Sequence, residues 1–376
     1  MKVTEIKSLT GIRGVAALYV IIHHWYHIIP QGTRLTQSFT INSLTQNFLR
    51  HGYLSVDLFF ALSGFVLSMS SYNTFATGVS LESYRSFMFR RFCRIFPLYI
   101  CMTLVYFVML GCLLTFDKVS VSDLLVNLTL LQGIIPAHNG SYIPPGWSLT
   151  NEWIIYFTVP FFLFIVHRYV KNPKVLVGLA ILFLLIISGI RTCYLNWTDY
   201  DKLKHIGGFY TAIPYTRGPS SLLRTIAAYL LGTFAYLVYR QKANISLLGY
   251  AILPMIAVLF SSRIDIVFIL YIPFLLLYIT GDNRLNRLLS CRPVYFLGLI
   301  SYSLYVNHYL LLYTYKRVAH FLGIQHHLIT FSLCYVLAGT FVISLITYYV
   351  IEKAGMRFLK RYSAQFSIKK LFLFNI

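Results

Sequence analysis

The sequence predicts an all-α polytopic membrane protein with about ten transmembrane helices and both termini cytoplasmic. Three observations carry this expectation. First, 57% of the 376 residues are hydrophobic and only 11% are charged, with a mean hydropathy of +0.67. Soluble domains carry roughly a quarter charged residues, so this much apolar surface points to lipid. Second, ten apolar segments approach the ~20 residues that cross a bilayer: 11–30, 53–71, 95–116, 149–167, 174–190, 221–239, 245–261, 264–281, 294–314 and 328–350. Third, with the N-terminus placed inside, 21 of the 32 Lys and Arg residues fall on the inner side, although the outer loops are longer. That is the positive-inside pattern. The net charge of +21 therefore reflects membrane anchoring and does not point to nucleic acid.

The chain divides into a membrane domain, 1–352, and a basic tail, 353–376, expected to lie on anionic headgroups of the inner leaflet. The first apolar segment has no small-residue cleavage site and is expected to stay as a span. Six cysteines show no CxxC and no metal-ligand spacing, and at least Cys101, Cys112 and Cys334 lie in apolar runs. They read as small core-filling residues. Three outer loops are long, 31–52, 117–148 and 191–220, and the second contains a candidate interfacial helix, VSDLLVNLTLLQGII.

Polar groups inside spans point to function, because they are costly in hydrocarbon. The first span, GIRGVAALYVIIHHW, carries Arg13 and His24 eleven residues apart. On a helix that spacing is three turns plus about 20°, so the two share a face about 16 Å apart along the axis. Arg13 then marks the inner edge and His24 lies near mid-membrane, while His23 points about 100° away. His23 and His27 have an i, i+4 spacing that suits a metal, but no nearby carboxylate or cysteine completes a site, and no metal is expected. A histidine bonded to a neighbouring helix is the plain reading of His24.

In the second span, HGYLSVDLFFALSGFVLS, Asp57 needs a partner. If this span packs against the first, His24 is the candidate, and a carboxylate there orients the ring as in base–orienter pairs. A capping or packing acid is the alternative. Ser63–Gly64 suits close helix approach. In the third, Arg90, Arg91 and Arg94 of FRRFCRIFPLY cluster at the inner end. Positive-inside anchoring accounts for them on charge alone, and clustered guanidinium groups also suit phosphate oxygens. The fourth span opens with PPGWSLTNEWIIYF, which sets Glu152 beside Trp147 and Trp153 at the outer edge. Sugar recognition, charge pairing and helix capping all fit that position. The ninth carries Asn307 and His308, for which packing and functional roles both fit.

Taken in order, LTGIRGVAALYVIIHHW, YLSVDLFFALSGFVLS, RRFCRIFPLY, PPGWSLTNEWIIYF, LLGTFAY, FLGLISYSLYVNHYLLL and YYVIEKAGMRFLKR resemble the acyltransferase-3 family of integral membrane acyltransferases. The resemblance covers nearly the whole chain. It implies ten core spans and an O-acyltransferase that takes acetyl or another short acyl group from cytoplasmic acyl-CoA. The acceptor it implies is a carbohydrate or lipid-linked glycan, such as O-antigen, capsule or exopolysaccharide, and the place is the cell (inner) membrane. The family's arginine–ten residues–histidine pattern falls on Arg13 and His24, its RxxR on Arg91 and Arg94, its second-span acid on Asp57 and its glutamate on Glu152. The hydrolase-like domain fused in some members is not expected here.

In this reading acetyl-CoA places its phosphates among Arg91, Arg94 and Arg13, and His24 acts as general base or transient nucleophile. Asp57 orients His24, and Glu152 helps to bind the sugar. A secondary transporter using buried His, Asp and Glu as a proton relay is the alternative of a different class. No inverted repeat supports it. A non-catalytic component of a polysaccharide export system is a third reading.

Overall fold

A computed structural model describes residues 5–28, 43–114, 120–135, 141–193, 218–242, 249–250, 252–261, 265–324 and 328–365. Among these, all regular structure is helical. Most of the outer loop 191–220 (194–217) and much of 31–52 (31–42) lie outside the described residues, as does the end of the basic tail. The chain forms two compact units, Ile6–Ser70 with Val170–Tyr295, and Met1–Glu5 with Ser71–Tyr169 and Phe296–Ile376.

The first unit opens with α1 (Lys7–Ile28), then α2 (Ser43–Arg50), a 3-10 turn (His51–Leu54) and α3 (Ser55–Ser71). After α4 to α6, which belong to the second unit, it resumes with α7 (Lys174–Cys193), α8 (Gly218–Arg240), α9 (Ile252–Phe260), α10 (Asp265–Thr280) and α11 (Arg284–Ser290). Helix α8 packs on α7 and α10, and α1 packs on α11. The start of α1 is tied down by Ser8, whose Oγ donates to Ile279 O at 2.6 Å, and Asn286 Nδ2 donates to the same carbonyl, also at 2.6 Å. Between the expected segments 264–281 and 294–314, the chain bends by 82° from α10 to α11. Asn283 caps α11 by accepting from Asn286 N at 2.8 Å, the ordinary solution for orphan N–H groups at a helix start.

The second unit contains α4 (Leu81–Leu114), α5 (Val121–Leu128), α6 (Gly146–Tyr169), α13 (Ser301–Phe321), α14 (Leu328–Thr347), a π segment (Tyr348–Glu352) and α15 (Lys353–Gln365); α12 (Arg292–Leu299) crosses the boundary between the units. The expected interfacial helix appears as α5, only eight residues long, with Ser120 as its cap. Helix α13 lies along α14, and α4 touches α5, α6, α13 and α15. Pro97 sits inside α4, where it removes one backbone donor. Phe157, Phe161 and Ile165 form an exposed apolar row on α6, as Val342, Ile346 and Val350 do from α14 into the π segment. Such rows need a lipid or protein cover.

Among the described residues, five helical stretches are long and apolar enough to cross a membrane: Ser43–Ser71, Leu81–Gly111, Gly146–Tyr169, Gly218–Arg240 and Leu328–Leu359. The bent pair α10–α11 makes a sixth. Helices α1 and α13, of 22 and 21 residues, are long enough but too polar to meet that criterion. The span expected at 245–261 is represented by α9, nine residues long. The rest of that segment includes residues outside the described ones.

Candidate functional site

The sequence candidates divide between the two units. Arg13, His24 and Asp57 lie in the first, and Arg91, Arg94 and Glu152 in the second.

In the first unit the end of α1 is pinned by α2 and the 3-10 turn. Tyr19 stacks on Phe48 with ring centroids 4.8 Å apart and donates its hydroxyl to the Phe48 carbonyl. His23 is buried, and its Nδ1 lies 3.2 Å from Leu49 O. A carbonyl only accepts, so Nδ1 carries the proton. Gly52 lies directly on the Cβ of His23 and the carbonyl of Tyr19, where a side chain has no room. His23 is therefore committed to holding the turn. Arg13 and His24 are both half-buried, with the His24 ring 5.1 Å from that of His23.

Asp57 is fully buried at the start of α3, and its partner is Arg224 of α8. Arg224 Nε donates to Oδ1 at 2.7 Å and Nη2 donates to Oδ2. This corrects the expected Asp57–His24 bond. A buried carboxylate needs full charge compensation, and a two-pronged guanidinium supplies it better than one imidazole N–H. The pair continues into residues that the sequence reading did not select. Arg224 sits over the Tyr53 ring, 5.7 Å from its centroid. Tyr53 donates to Asp265 Oδ2 at 2.5 Å, and Asp265 Oδ1 is 3.6 Å from His51 Nε2. His51 Nδ1 faces Asn47 O at 2.7 Å and Leu259 O at 3.1 Å. The available signal was Arg224 itself: an arginine inside an apolar segment demands a buried acid.

In the second unit α4 presents its arginines differently from one another. Arg90 donates to Ser86 Oγ at 3.0 Å, one turn back. The Arg91 guanidinium lies over the rings of Phe87 and Tyr156, at 5.7 and 5.9 Å. Arg94 Nη1 donates to Glu352 Oε1 at 2.5 Å, beside the Tyr302 ring at 5.8 Å. Glu152 accepts from the Tyr156 hydroxyl, one turn along α6. Tyr156 thus links Glu152 to Arg91. Glu152 and Arg91, expected at opposite membrane faces, come together through Tyr156. Both lie inside their helices and not at the ends: α6 starts at Gly146, about 9 Å before Glu152, and α4 starts at Leu81, about 15 Å before Arg91. Trp153 turns to Phe96 and Phe157, at 4.9 and 5.2 Å. Deeper in α13, Asn307 donates to Thr347 Oγ1 at 2.8 Å, and His308 is fully buried. Among the described residues no group of three His, Cys, Asp or Glu side chains is arranged to hold a metal ion.

Residues 6–349 match the acyltransferase-3 family, described as an acyltransferase domain. The chain belongs to the acyltransferase-3 family. Among similar proteins, acyltransferase MdmB of Streptomyces mycarofaciens is 33% identical over 176 residues, 44% of this chain and 41% of that one. A putative acetyltransferase of Acidianus two-tailed virus is 23% identical over 319 residues, 81% of this chain and 82% of that one. Peptidoglycan O-acetyltransferase OatA of Listeria monocytogenes is 24% identical over 336 residues, 81% of this chain and 49% of that one. The matched region thus spans about half or less of the MdmB and OatA chains. No solved structure matches the chain. Both the histidine-bearing α1 and the arginine-bearing α4 lie inside the acyltransferase-3 match.

Proposed function

We propose that this protein is a membrane O-acyltransferase that moves an acetyl or other short acyl group from acyl-CoA to a hydroxyl of a surface carbohydrate. The observation that carries the proposal is the family match over residues 6–349, which includes every sequence candidate. The ten-span topology with cytoplasmic termini, the inner-membrane location and the contact of the basic tail with anionic lipid belong to the same proposal.

In this reading Arg91 and Arg94, with Arg13, provide guanidinium groups for the phosphates of the donor. Tyr156 and Glu152 steady Arg91, so Glu152 serves the arginines rather than the sugar. His24 takes the proton from the acceptor hydroxyl as general base, or carries the acyl group transiently as nucleophile. His23 holds the backbone turn beside it. Asp57 acts through Arg224, locking α3 to α8, and does not touch the reacting atoms.

The test is transfer of labelled acetyl groups from acetyl-CoA to cell-surface glycan in membranes carrying the full chain. His24→Ala is expected to lower transfer by at least about 100-fold, the usual size of an acid–base contribution, at normal protein level in the membrane. His23→Ala is expected to reduce protein level more than the rate per molecule. Substantial transfer by His24→Ala would remove it from the chemistry. Solute transport without consumption of acetyl-CoA would favour the transporter.

A further inference from the structure

The buried face of α14 is mostly polar. Ser332, Thr340, Ser344 and Thr347 are buried together with Val336, so the buried positions repeat roughly every turn. The next buried acid, Glu352, comes five residues after Thr347. In an unbroken α-helix five residues rotate a side chain by about 500°, which leaves it about 140° off that face. The π segment Tyr348–Glu352 absorbs the additional residue and returns the carboxylate to the interior. Single π turns of this kind recur at functional sites.

There the carboxylate is 1% exposed and held on both oxygens. Arg94 Nη1 donates to Oε1 at 2.5 Å and Ser303 Oγ donates to Oε2 at 2.8 Å. The neighbouring Tyr302 donates to Ile95 O at 2.8 Å, tying α13 to α4 at the same level. Gly355, in the first turn of α15, lies against Pro97, where an added Cβ would come within 2.7 Å of the proline ring. The π segment and α13 therefore meet at the Arg94 guanidinium, with α15 packed on Pro97 one turn along α4. Arg94 itself is 31% exposed, so it offers a face outward while its inner side is fixed.

We propose that Glu352 is a positioning residue for Arg94. It holds one N–H of the guanidinium and presents the remaining donors to a phosphate-bearing acyl donor. This rests on the reading that Arg91 and Arg94 bind the donor's phosphates. A guanidinium has five N–H donors in a rigid fork, so anchoring one edge orients the others. Arg91 is oriented separately, by the faces of Phe87 and Tyr156.

The experiment measures KM and kcat for acetyl-CoA in membranes carrying the full chain, normalised to protein level. Glu352→Gln is expected to raise KM about tenfold, the loss of one charge-assisted hydrogen bond, with kcat little changed. Glu352→Asp should recover part of that loss. In an Arg94→Ala background Glu352→Gln should add nothing, whereas in an Arg91→Ala background it should add its full effect. Ser303→Ala, which leaves no unpaired charge, should raise KM in the same direction by less. Wild-type KM in Glu352→Gln, or an undiminished effect in Arg94→Ala, would overturn the proposal. If Glu352→Gln does not accumulate, wild-type KM in Ser303→Ala would overturn it. Wild-type KM in both Arg91→Ala and Arg94→Ala would instead overturn the phosphate reading, and Glu352's role with it.

Discussion

A charge buried among apolar helices persists only with its partner in place, and Asp57 and Arg224 show how completely. The acid is 0% exposed and the arginine 1%, and both carboxylate oxygens are bound. Removing one member leaves the other charged in a low dielectric, which costs roughly 3–5 kcal/mol. Replacing both removes the problem along with the pair. Arg224→Ala is therefore expected to lower the melting temperature and membrane level sharply, and the Asp57→Ala, Arg224→Leu double variant to recover most of that loss. Thermal melts of the detergent-solubilised protein check this. If the single variant melts like wild type, the pair contributes nothing to the fold. Each residue was visible as an anomaly in an apolar run. What the run did not show was that the anomalies belong to each other, because residues 167 positions apart meet only when helices pack.

At the scale of elements, α3 and α8 are held together by small residues as well as by that ion pair. Gly232 of α8 lies on the carbonyl of Ala61, and Gly64 of α3 lies on the carbonyl of Tyr229. Ser68 Oγ donates to Thr233 Oγ1 at 3.2 Å a turn further on. Positions 57, 61, 64 and 68 recur at helical spacing, so one stripe of α3 makes these contacts, and Phe65 beside it meets the rings of Tyr236 and Tyr239. Without water to drive apolar surfaces together, membrane helices rely on such close backbone approach and on polar contacts. The close approach at Gly64 was legible in the sequence, but the helix it approaches was not. Gly232→Val places two methyl groups where a backbone carbonyl already sits. It is expected to destabilise the protein by at least the ~1–3 kcal/mol of ordinary overpacking, seen as a lower melting temperature, whereas Gly178→Ala on α7, which meets nothing within 4 Å, should be neutral. Equal melting temperatures for the two variants would show that the α3–α8 contact tolerates expansion.

For the whole molecule the open quantity is how the chain threads the bilayer. The proposed topology puts 240–242 and α15 on the cytoplasmic side. Single cysteines at Lys242 and Arg357, in a chain otherwise free of accessible thiols, should resist a membrane-impermeant thiol reagent in intact cells and react after permeabilisation. Labelling of Arg357→Cys from outside would reverse the assignment of the final span. Hydropathy locates the end of the apolar run at 281 but not the 82° bend that follows it, where Asn283 caps α11.

The membrane character, the helical class and the family were determined by the sequence alone, because hydropathy, charge bias and motif order are properties of the chain as written. So was the phase of Arg13 and His24 on α1, since helical periodicity needs no partner. Only the tertiary structure decided that Asp57 answers to Arg224, that Glu152 reaches Arg91 through Tyr156, and that Glu352 grips Arg94. Each of these joins side chains from different helices, and their choice of partner is set by charge compensation inside a packed, water-poor interior. A π turn that shifts one glutamate onto the buried face leaves no mark in hydropathy; its cause lies in the residue waiting on the neighbouring helix.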